Sequence, residues 1–367
     1  MFINQNKKAN HEYFMRLALN QAKNVLGNTK TNPAVGCVIT KDNTLISAAS
    51  TSINGRPHAE INALNFLKKK VKKANLYVTL EPCSHYGKTP PCTKSIIENK
   101  IKNVFFSVYD TDLRSYNKCA KLLRKKKINV YYGIYFKQAK NFYKSYEKFK
   151  INSFPFVTCK LAISKDFFTI NKKKDWITNE FSRSRVQLMR SEHDCILTSS
   201  TTIAEDNPRL TCRIKGLESL SPSKIIIDRA LKTPINSKII TNNVNRNTYI
   251  FYNKENKKKL NLFRNLGIKT FKVSLNKKGK MDLKQALIKI NSLGFSRVFV
   301  ESGLTLSSEF LKEKLVDDFK LCISNKKLKN KGKSNMKKYY NIFLKNKYKY
   351  TENINLYGDK ILSFKIK

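Results

Sequence analysis

The sequence is poor in acidic residues, glycine, proline, histidine and tryptophan, and it has no long apolar stretch. No run approaches the roughly 18 uncharged apolar residues of a membrane-spanning helix, which argues against such a helix. The charged fraction is an ordinary 27% and hydrophobic residues make up 41%, which argues against wholesale disorder. The first residues contain no apolar run before small residues, so we expect no secretory signal and a cytoplasmic protein.

The shortage of acidic residues leaves a formal net charge of +47. Such a charge is typical of nucleic-acid binders. However, 60 of the basic residues are lysines and only 13 are arginines, the residue that specific phosphate and base readers favour. Because Lys, Asn, Ile, Tyr and Phe can all be coded by A and T alone, we attribute the excess to genome composition and expect no nucleic-acid partner. A functional basic surface is the alternative.

The eight cysteines are spread thinly along the chain, which does not indicate a disulfide framework. Most of them are expected to be small buried residues. Only Cys83 and Cys92 lie in a segment with other metal-binding features, and the chain has only four histidines.

The length predicts two α/β domains, 1–150 and 151–367. In the first, helical patterns at 11–26, 57–67, 93–99 and 118–127 alternate with strand patterns at 35–40, 44–49, 76–80, 104–109 and 129–135. This alternation predicts a mostly parallel sheet covered by helices. A helical run at 137–150 ends at turn-forming residues 152–155, where we expect the boundary. The second half has strand patterns at 156–163, 195–199, 224–227, 248–251, 268–273, 297–300 and 319–323.

The strongest local signal is the ordered set His58-Ala59-Glu60, Glu81-Pro82-Cys83 and Cys92. One His and two Cys make three protein ligands, the number typical of a catalytic zinc site with an open fourth position. Glu60 need not bind the metal, and it can take a proton from water and return it to a leaving amine. The sequence therefore predicts Zn²⁺ at His58, Cys83 and Cys92, with Glu60 as the catalytic residue.

The order of these residues is similar to that of the zinc nucleobase deaminases, H-x-E followed by P-C-x-x-C, but eight residues separate the two cysteines here. Residues 78–92, VTLEPCSHYGKTPPC, instead closely resemble the deaminase half of the bifunctional riboflavin-biosynthesis family, as do 32–36 and 55–60. The resemblance implies a cytidine-deaminase-like α/β/α domain that acts on a diaminopyrimidine ribotide. It also implies a substrate pocket lined by a set of loop residues: Asn32, His85, Gly87, Lys88 and Thr89.

The second half has no G-x-G-x-x-G loop after a strand, so the usual dinucleotide-binding fingerprint is absent. Segments 160–162, 176–178, 196–200, 202–213 and 300–303 nevertheless resemble the reductase half of the same family. That resemblance implies a domain similar to dihydrofolate reductase in fold that uses NADPH to reduce the ribosyl group to a ribityl chain after deamination.

The resemblance also implies roles for residues of the second domain. The residues that would contact NADPH are Ala162, Trp176, Thr202, Asp206, Gly303, Leu304, Thr305 and Leu306. The residues that would contact the substrate are Arg190, Leu210, Arg213 and Glu301. Arginines suit this task because their forked donors can hold a ribotide phosphate, and a glycine that opens a helix lets N–H groups approach a pyrophosphate.

Several positions depart from the family pattern. Phe167 replaces a glycine, Lys174 and Arg229 each replace a serine, and Asp110 is followed by Thr111-Asp112 instead of Pro-Asn-Pro. We therefore expect a bifunctional, zinc-dependent deaminase and NADPH-dependent reductase with a small-molecule pyrimidine ribotide as its partner. The alternatives are a deaminase with a decayed reductase domain, a nucleic-acid deaminase, and an inactive zinc module. The sequence leaves the oligomeric state open and predicts no membrane partner.

Overall fold

The chain separates into two compact units, Met1–Ser153 and Phe154–Lys367. The computed structural model describes residues 5–67, 72–173, 175–243 and 248–366, so Lys174 lies outside the described residues. The last helix of the first unit ends at Asn152, and Ser153 follows with a left-handed φ of 50°. Across these described ranges, no helix combines the length and apolar character needed to cross a membrane.

The first unit contains five strands and five helices within the described residues. They are α1 (Gln5–Lys23), β1 (Gly36–Lys41), β2 (Thr44–Ser50), α2 (Ala59–Asn65), β3 (Asn75–Leu80), α3 (Cys92–Glu98), β4 (Asn103–Val108), α4 (Cys119–Lys125), β5 (Asn129–Tyr132) and α5 (Phe136–Asn152). A short 3-10 turn, Ile53–Gly55, precedes α2. Every strand and helix predicted in this half is present. β5 ends earlier than predicted, because Gly133 leaves the strand with a φ of 85°.

The first sheet has the strand order β2-β1-β3-β4-β5 and is mixed, so the prediction of a mostly parallel sheet was wrong here. β3, β4 and β5 are parallel, but β1 is antiparallel to both β2 and β3. The reason is the two-residue connection Asp42-Asn43, in which both residues have positive φ, 48° and 60°. Such a turn joins adjacent antiparallel strands, whereas a parallel pair needs a long crossover.

Both faces of the first sheet are covered by helices, because its strands are apolar on both sides. On one face, Leu76 and Val78 of β3 pack with residues of α2, α3 and α4 in a single buried cluster. On the other face, Tyr77 and Phe105 stack with their ring centroids 4.7 Å apart and pack with Phe14 of α1. The parallel strands β3 and β4 thus end together at one edge of a rigid, doubly covered sheet.

The second unit carries the remaining strands and helices. They are β6 (Phe156–Ile163), β7 (Phe168–Asn171), α6 (Glu180–Ser191), β8 (Cys195–Ser199), α7 (Ser200–Asp206), β9 (Ser223–Ile227), α8 (Lys238–Thr241), β10 (Thr248–Tyr252), α9 (Lys257–Asn265), β11 (Lys269–Lys272), α10 (Leu283–Ser292), β12 (Arg297–Glu301), α11 (Leu304–Lys312), β13 (Asp318–Ile323), β14 (Gly332–Asn335), α12 (Lys337–Tyr339), β15 (Lys349–Thr351) and β16 (Lys360–Lys365). Two 3-10 turns, Glu218–Leu220 and Lys329–Lys331, and the π-helical Tyr340–Leu344 complete the described elements.

The second sheet has the strand order β11-β10-β9-β8-β12-β6-β13-β16-β15. The strands from β11 to β13 are parallel, while β16 and β15 complete the sheet in antiparallel fashion. Two large apolar clusters cover its faces, and neighbouring residues of β8 alternate between them: Leu197 lies in one and Ile196 in the other. The strong strand patterns of the sequence mark this doubly buried sheet correctly.

A separate two-stranded sheet, β7 with β14, lies beside the β6–β7 turn and was not predicted. Phe167, at the position where the family pattern has glycine, adopts a φ of 71° in this turn. Its ring packs edge-on against Tyr340 with the centroids 5.4 Å apart. The turn therefore keeps the left-handed backbone that a glycine adopts freely, although the side chain here is bulky.

Candidate active sites

The first site is formed where three chain segments of the first unit meet. His58 is the residue before α2, Cys83 follows β3, and Cys92 is the first residue of α3. The Nδ1 atom of His58 lies 3.3 Å from the Cys92 Sγ atom and 3.6 Å from the Cys83 Sγ atom. All three ligand atoms lie within 4.8 Å of one another, and no other such group of His, Cys, Asp or Glu occurs among the described residues.

These separations fit a zinc ion. With Zn–S bonds of about 2.3 Å and Zn–N bonds of about 2.0 Å, tetrahedral ligands place nitrogen and sulfur about 3.5 Å apart. The hydrogen bond with the Cys92 thiol is the main cause that lowers the pKa of Cys83 to about 4, although burial opposes it. Cys83 also accepts the backbone N–H of Cys92 at 3.3 Å. Cys83 is therefore favoured as the thiolate that a metal requires.

Glu60 lies in the first turn of α2 and is only 3% exposed. Its carboxyl group interacts with His58, Cys83 and Cys92, so it faces the same space as the three ligand atoms. Burial raises the pKa of Glu60 to about 7, against the opposing effect of His58. Near neutral pH this carboxyl group can therefore both accept and donate a proton, which is the requirement for general acid–base catalysis.

The eight residues between the two cysteines form a loop, 84–91, at the mouth of this site. The Nδ1 atom of His85 is 2.9 Å from the Ser115 Oγ atom. Arg56 donates a hydrogen bond from its guanidinium to the Thr89 hydroxyl. A Cβ atom placed on Gly87 would lie 3.6 Å from Arg56 Nη2 and 4.0 Å from His85 Nε2. Arg56, His85 and Thr89 thus surround a space that Gly87 leaves open, and we call it the Gly87 corner.

The two other residues of the predicted substrate pocket are Asn32 and Lys88. Asn32 donates a hydrogen bond from its side-chain amide to the Gly55 carbonyl at 3.0 Å. Lys88 is exposed in the 84–91 loop. The sequence did not predict that Arg56 belongs to this site. Its hydrogen bond with Thr89 joins residues 33 positions apart, and it forms only because the 84–91 loop folds toward Arg56.

The second site is a cavity of about 350 Å³ in the second unit, at the carboxyl ends of β8, β9 and β12. It is lined by five of the eight predicted cofactor residues, namely Thr202, Gly303, Leu304, Thr305 and Leu306. Open α/β sheets bind ligands at this end of their strands. In this cavity, the first turn of α11 and the residue before it meet the start of α7.

The part of this cavity around Gly303 suits a dinucleotide phosphate, while Glu205, Glu309 and Glu313 line other parts of it. Gly303 precedes α11 with no side-chain cap at that helix terminus, and a Cβ placed on it would meet no atom within 4 Å. The N–H groups of a helix start attract phosphate when the chain can approach closely. The hydroxyl groups of Ser199, Thr202 and Ser302 lie 3.0–3.2 Å apart beside Gly303. Ser199 and Ser302 were not predicted as site residues. Their positions could have indicated them, because Ser199 ends β8 and Ser302 follows β12.

The other three predicted cofactor residues do not line this cavity. Ala162 lies in β6 and is partly buried against an apolar cluster. Trp176 is 75% exposed, and the guanidinium of Arg183 lies 5.0 Å from its ring centroid. Asp206 is the last residue of α7, on the same helix as the cavity residues Thr202 and Glu205.

The predicted substrate residues form a charged group next to β12. Arg190 donates two hydrogen bonds to the Glu301 carboxylate, from Nε at 2.9 Å and from Nη2 at 3.0 Å. Lys160 lies 3.5 Å from the same carboxylate. Burial lowers the pKa of Arg213, and the nearby charges of Arg190 and Arg209 lower it further. Several cations thus share one carboxylate, which leaves an excess of positive charge for an anion.

Leu210 has a different position from the other predicted substrate residues. Its side chain is 3% exposed and packs in an apolar cluster, while its backbone adopts a φ of 50°. Any contact of Leu210 with a ligand would therefore involve the backbone of this turn.

Comparisons with known proteins match both halves of the chain. Residues 8–108 match the family model for the cytidine and deoxycytidylate deaminase zinc-binding region, and residues 155–334 match the RibD C-terminal domain. The riboflavin biosynthesis protein RibD of Bacillus amyloliquefaciens is 34% identical over 310 residues, covering 84% of this chain and 82% of that protein. RibD of Escherichia coli is 31% identical and covers 86% and 88%, respectively.

Solved structures give the same result over nearly the whole chain. RibD of Acinetobacter baumannii superposes with a TM-score of 0.84 at 27% identity, covering 98% of this chain and 99% of that one. The diaminohydroxyphosphoribosylaminopyrimidine deaminase/5-amino-6-(5-phosphoribosylamino)uracil reductase of Thermotoga maritima gives a TM-score of 0.82 at 27% identity, covering 98% and 100%.

Proposed function

The chain belongs to the RibD family of riboflavin biosynthesis, and on that premise we propose how its own residues divide two reactions. The protein is a zinc-dependent deaminase and an NADPH-dependent reductase. The substrate is a diaminopyrimidine ribotide that exchanges a ring amine for oxygen, after which the ribosyl group is reduced to a ribityl chain. The main support for the deaminase assignment is the convergence of His58, Cys83, Cys92 and the buried Glu60.

In the first unit, we assign His58, Cys83 and Cys92 as the zinc ligands and Glu60 as the catalytic residue. Zinc, when bound, supplies a Lewis acid next to the ring carbon that loses its amine. Glu60 accepts the proton of the attacking water and delivers a proton to the amine, which leaves as ammonia.

The Gly87 corner is the proposed position of the ribotide phosphate during deamination. The Arg56 guanidinium has no carboxylate within ion-pair distance among the residues that the structure describes, and its bonded partner is the neutral Thr89 hydroxyl. A cation without a carboxylate partner at the mouth of an active site favours an anionic group of the substrate. A Cβ atom on Gly87 would make ordinary contacts with Arg56 and His85, so the glycine leaves the space of one methyl group beside the guanidinium.

In the second unit, we assign Thr202 and residues 303–306 to NADPH, and Arg190, Arg213 and Glu301 to the ribotide. Ala162, Trp176, Asp206 and Leu210 remain predicted contacts from the resemblance. NADPH, when bound, supplies the hydride for the sugar carbon. Arg190 and Glu301 hold each other in fixed orientations, while Arg213 brings the excess positive charge that suits a phosphate.

We further propose that the substrate is a free ribotide in the cytoplasm and not a base within a nucleic acid. The support is the eight-residue loop between Cys83 and Cys92, which carries the Gly87 corner and differs from the two-residue spacing of polynucleotide deaminases. A salt-sensitive affinity for RNA or DNA, with editing of the bound strand, would contradict this proposal.

Mass spectrometry of the products tests both activities. Zinc-loaded protein should exchange one amine for oxygen with or without NADPH, and it should add two hydrogens only with NADPH. A Gly303→Val variant should retain deamination and lose reduction, because its backbone φ of −64° accepts any residue and the new side chain enters the open space before α11. If the unmodified protein exchanges the amine but does not add hydrogens, a decayed reductase is supported. If the ribotide is unchanged both with and without NADPH, the proposed function is contradicted.

A further inference from the structure

The loop between β4 and α4, residues 109–118, is attached to the strand that leads into the zinc site. Glu81 is only 3% exposed, and its carboxylate accepts the backbone N–H groups of Asn117 at 3.0 Å, Cys119 at 3.1 Å and Asp110 at 3.4 Å. Glu81 precedes Pro82-Cys83 in the chain. A single buried carboxylate thus holds both ends of the loop against the segment that provides a metal ligand.

The interior of the same loop is fixed by further side chains. Asp110 accepts hydrogen bonds from the Tyr146 hydroxyl and from the backbone N–H of Asp112, both at 3.0 Å. Arg114 donates two hydrogen bonds to the Asp112 carboxylate. These contacts order a loop that lacks the prolines and glycines of the family pattern, so Ser115 at its centre has a defined position.

Ser115 is fully buried and connects this loop to the 84–91 loop. Its Oγ atom lies 2.9 Å from His85 Nδ1, so this ring nitrogen is occupied. The other ring nitrogen, Nε2, is the one that faces the Gly87 corner beside Arg56. Because one hydrogen bond on a histidine ring fixes both its orientation and the role of the second nitrogen, Ser115 decides how His85 faces a ligand.

We propose that Ser115 is a positioning residue for the deaminase, which acts by holding His85 toward the substrate phosphate in the Gly87 corner. The consequence for deamination depends on the proposed function, whereas the Ser115–His85 contact can be tested without it. The role of Ser115 was not predicted from the sequence. It follows from the packing of two loops that are 30 positions apart in the sequence.

Kinetics of the zinc-loaded, full-length protein test the role. Ser115→Ala should raise KM for the ribotide about fivefold to tenfold, the loss of one hydrogen bond, and change kcat less than about twofold. Thr111→Val is the matched control: the Thr111 hydroxyl is buried in the same loop and has no hydrogen-bond partner among the described residues, so KM should not change. In a His85→Ala background, Ser115→Ala should have no further effect.

Three kinetic results would overturn the proposal: an unchanged KM in Ser115→Ala, equal losses in Ser115→Ala and Thr111→Val, or additive losses in the double variant with His85→Ala. If Ser115→Ala does not fold, Ser115→Cys replaces it, since a thiol of similar size is a weaker hydrogen-bond partner, and an intermediate KM is expected.

Nuclear magnetic resonance of ¹⁵N-histidine separates this inference from the proposed function. The chain has only four histidines, and His85→Ala assigns the His85 signals. The Nδ1 signal of His85 should shift in Ser115→Ala and stay unchanged in Thr111→Val. An unmoved signal would overturn the contact even if deamination is observed. If the unmodified protein does not deaminate the ribotide, the proposed function fails, while a shifted signal still supports Ser115 as the residue that positions His85.

Discussion

Glu60 can act on a substrate without holding the metal, because the ligand set is complete without it. Glu60→Gln should reduce deamination by about 10²–10⁴-fold, the usual contribution of general acid–base catalysis. Zinc content should remain that of the unmodified protein, since His58, Cys83 and Cys92 are unchanged. Product analysis and metal analysis of the same sample check the two statements. Loss of zinc together with activity would instead indicate that Glu60 holds the metal site together.

Gly87 provides a test of the proposed phosphate position. A Cβ atom on Gly87 would meet its neighbours at 3.6 Å or more, so Gly87→Ala should fold without strain. The added methyl group would nevertheless occupy space between Arg56 and His85, and we expect KM for the ribotide to rise about tenfold. The dephosphorylated riboside should show no such change. An equal effect on both compounds would place the phosphate elsewhere.

Glu301 should make the stability of the second unit depend on pH. Burial by itself raises the pKa of Glu301, but attraction to Arg190 and Lys160 outweighs it and lowers the pKa to about 2, from an ordinary value of 4.5. A carboxylate with a lowered folded-state pKa contributes stability above the unfolded value, and this contribution is lost as the pH falls toward the folded value.

Between pH 5 and pH 3 the free energy of unfolding should therefore fall by about 2 kcal/mol through this group alone. Glu301→Gln should lack this component. Urea unfolding followed by far-ultraviolet circular dichroism measures the difference. The same slope with pH in both proteins would contradict the prediction.

At the residue scale, sequence reasoning succeeded where motifs carry the chemistry. His58, Cys83 and Cys92 were predicted from residue type and order, and the structure brings their ligand atoms together. The pairing of Arg190 with Glu301 was not foreseen, since 111 positions separate them and nothing local in the sequence indicates that they meet. The roles assigned to these residues remain predictions for the experiments above.

The turn between β6 and β7 shows how an element tolerates a departure from the family pattern. Phe167 adopts a φ of 71°, a conformation that costs a residue with a side chain about 1–2 kcal/mol and costs glycine nothing. Phe167→Ala keeps this cost and loses the packing on Tyr340, whereas Phe167→Gly loses only the packing. We therefore expect Phe167→Gly to be more stable than Phe167→Ala by about 1 kcal/mol in urea unfolding.

A helix position gives the opposite order and serves as the control. In α6, the exposed Ser184 lies in the helix interior, so Ser184→Gly should be less stable than Ser184→Ala by about 1 kcal/mol. If the glycine variant were less stable than the alanine variant at both positions, a left-handed backbone at Phe167 would be contradicted.

Long, strongly patterned elements were predicted well, and short or paired ones were not. β6 and β8 have the predicted bounds because continuous apolar strands are a local signal. β7 and β14 were missed, since each has only four residues and is defined by pairing across more than 160 positions. The antiparallel β1–β2 pair was missed because the Asp42-Asn43 turn was not recognised.

At the scale of the whole molecule, the two sites lie in different units and depend on different cofactors. Removal of zinc with a chelator should abolish deamination while the protein still reduces the deaminated ribotide with NADPH, because His58, Cys83 and Cys92 all belong to the first unit. Supplying the two substrates separately to the treated protein, and adding zinc back, checks this expectation. Parallel loss of both activities would show that the units depend on each other.

The prediction of two domains and their fold class follows from the order of the motifs along the chain. The two family matches have the same order, with the deaminase model at 8–108 and the RibD C-terminal model at 155–334. The net charge of +47 did not decide the function, because its lysines are dispersed. The sequence did not predict the antiparallel strands at the edges of the two sheets. Strand direction depends on which strands become neighbours, and this pairing is set by the three-dimensional fold.

The position of β16 has a consequence for synthesis of the protein on the ribosome. The first sheet needs only residues 36–132, so a growing chain can complete it early. The second sheet has β16 inserted between β13 and β15, and β16 is formed by residues 360–365. The nascent deaminase half can therefore fold while its reductase half still lacks an interior strand, which concentrates the risk of misfolding during translation in the reductase half.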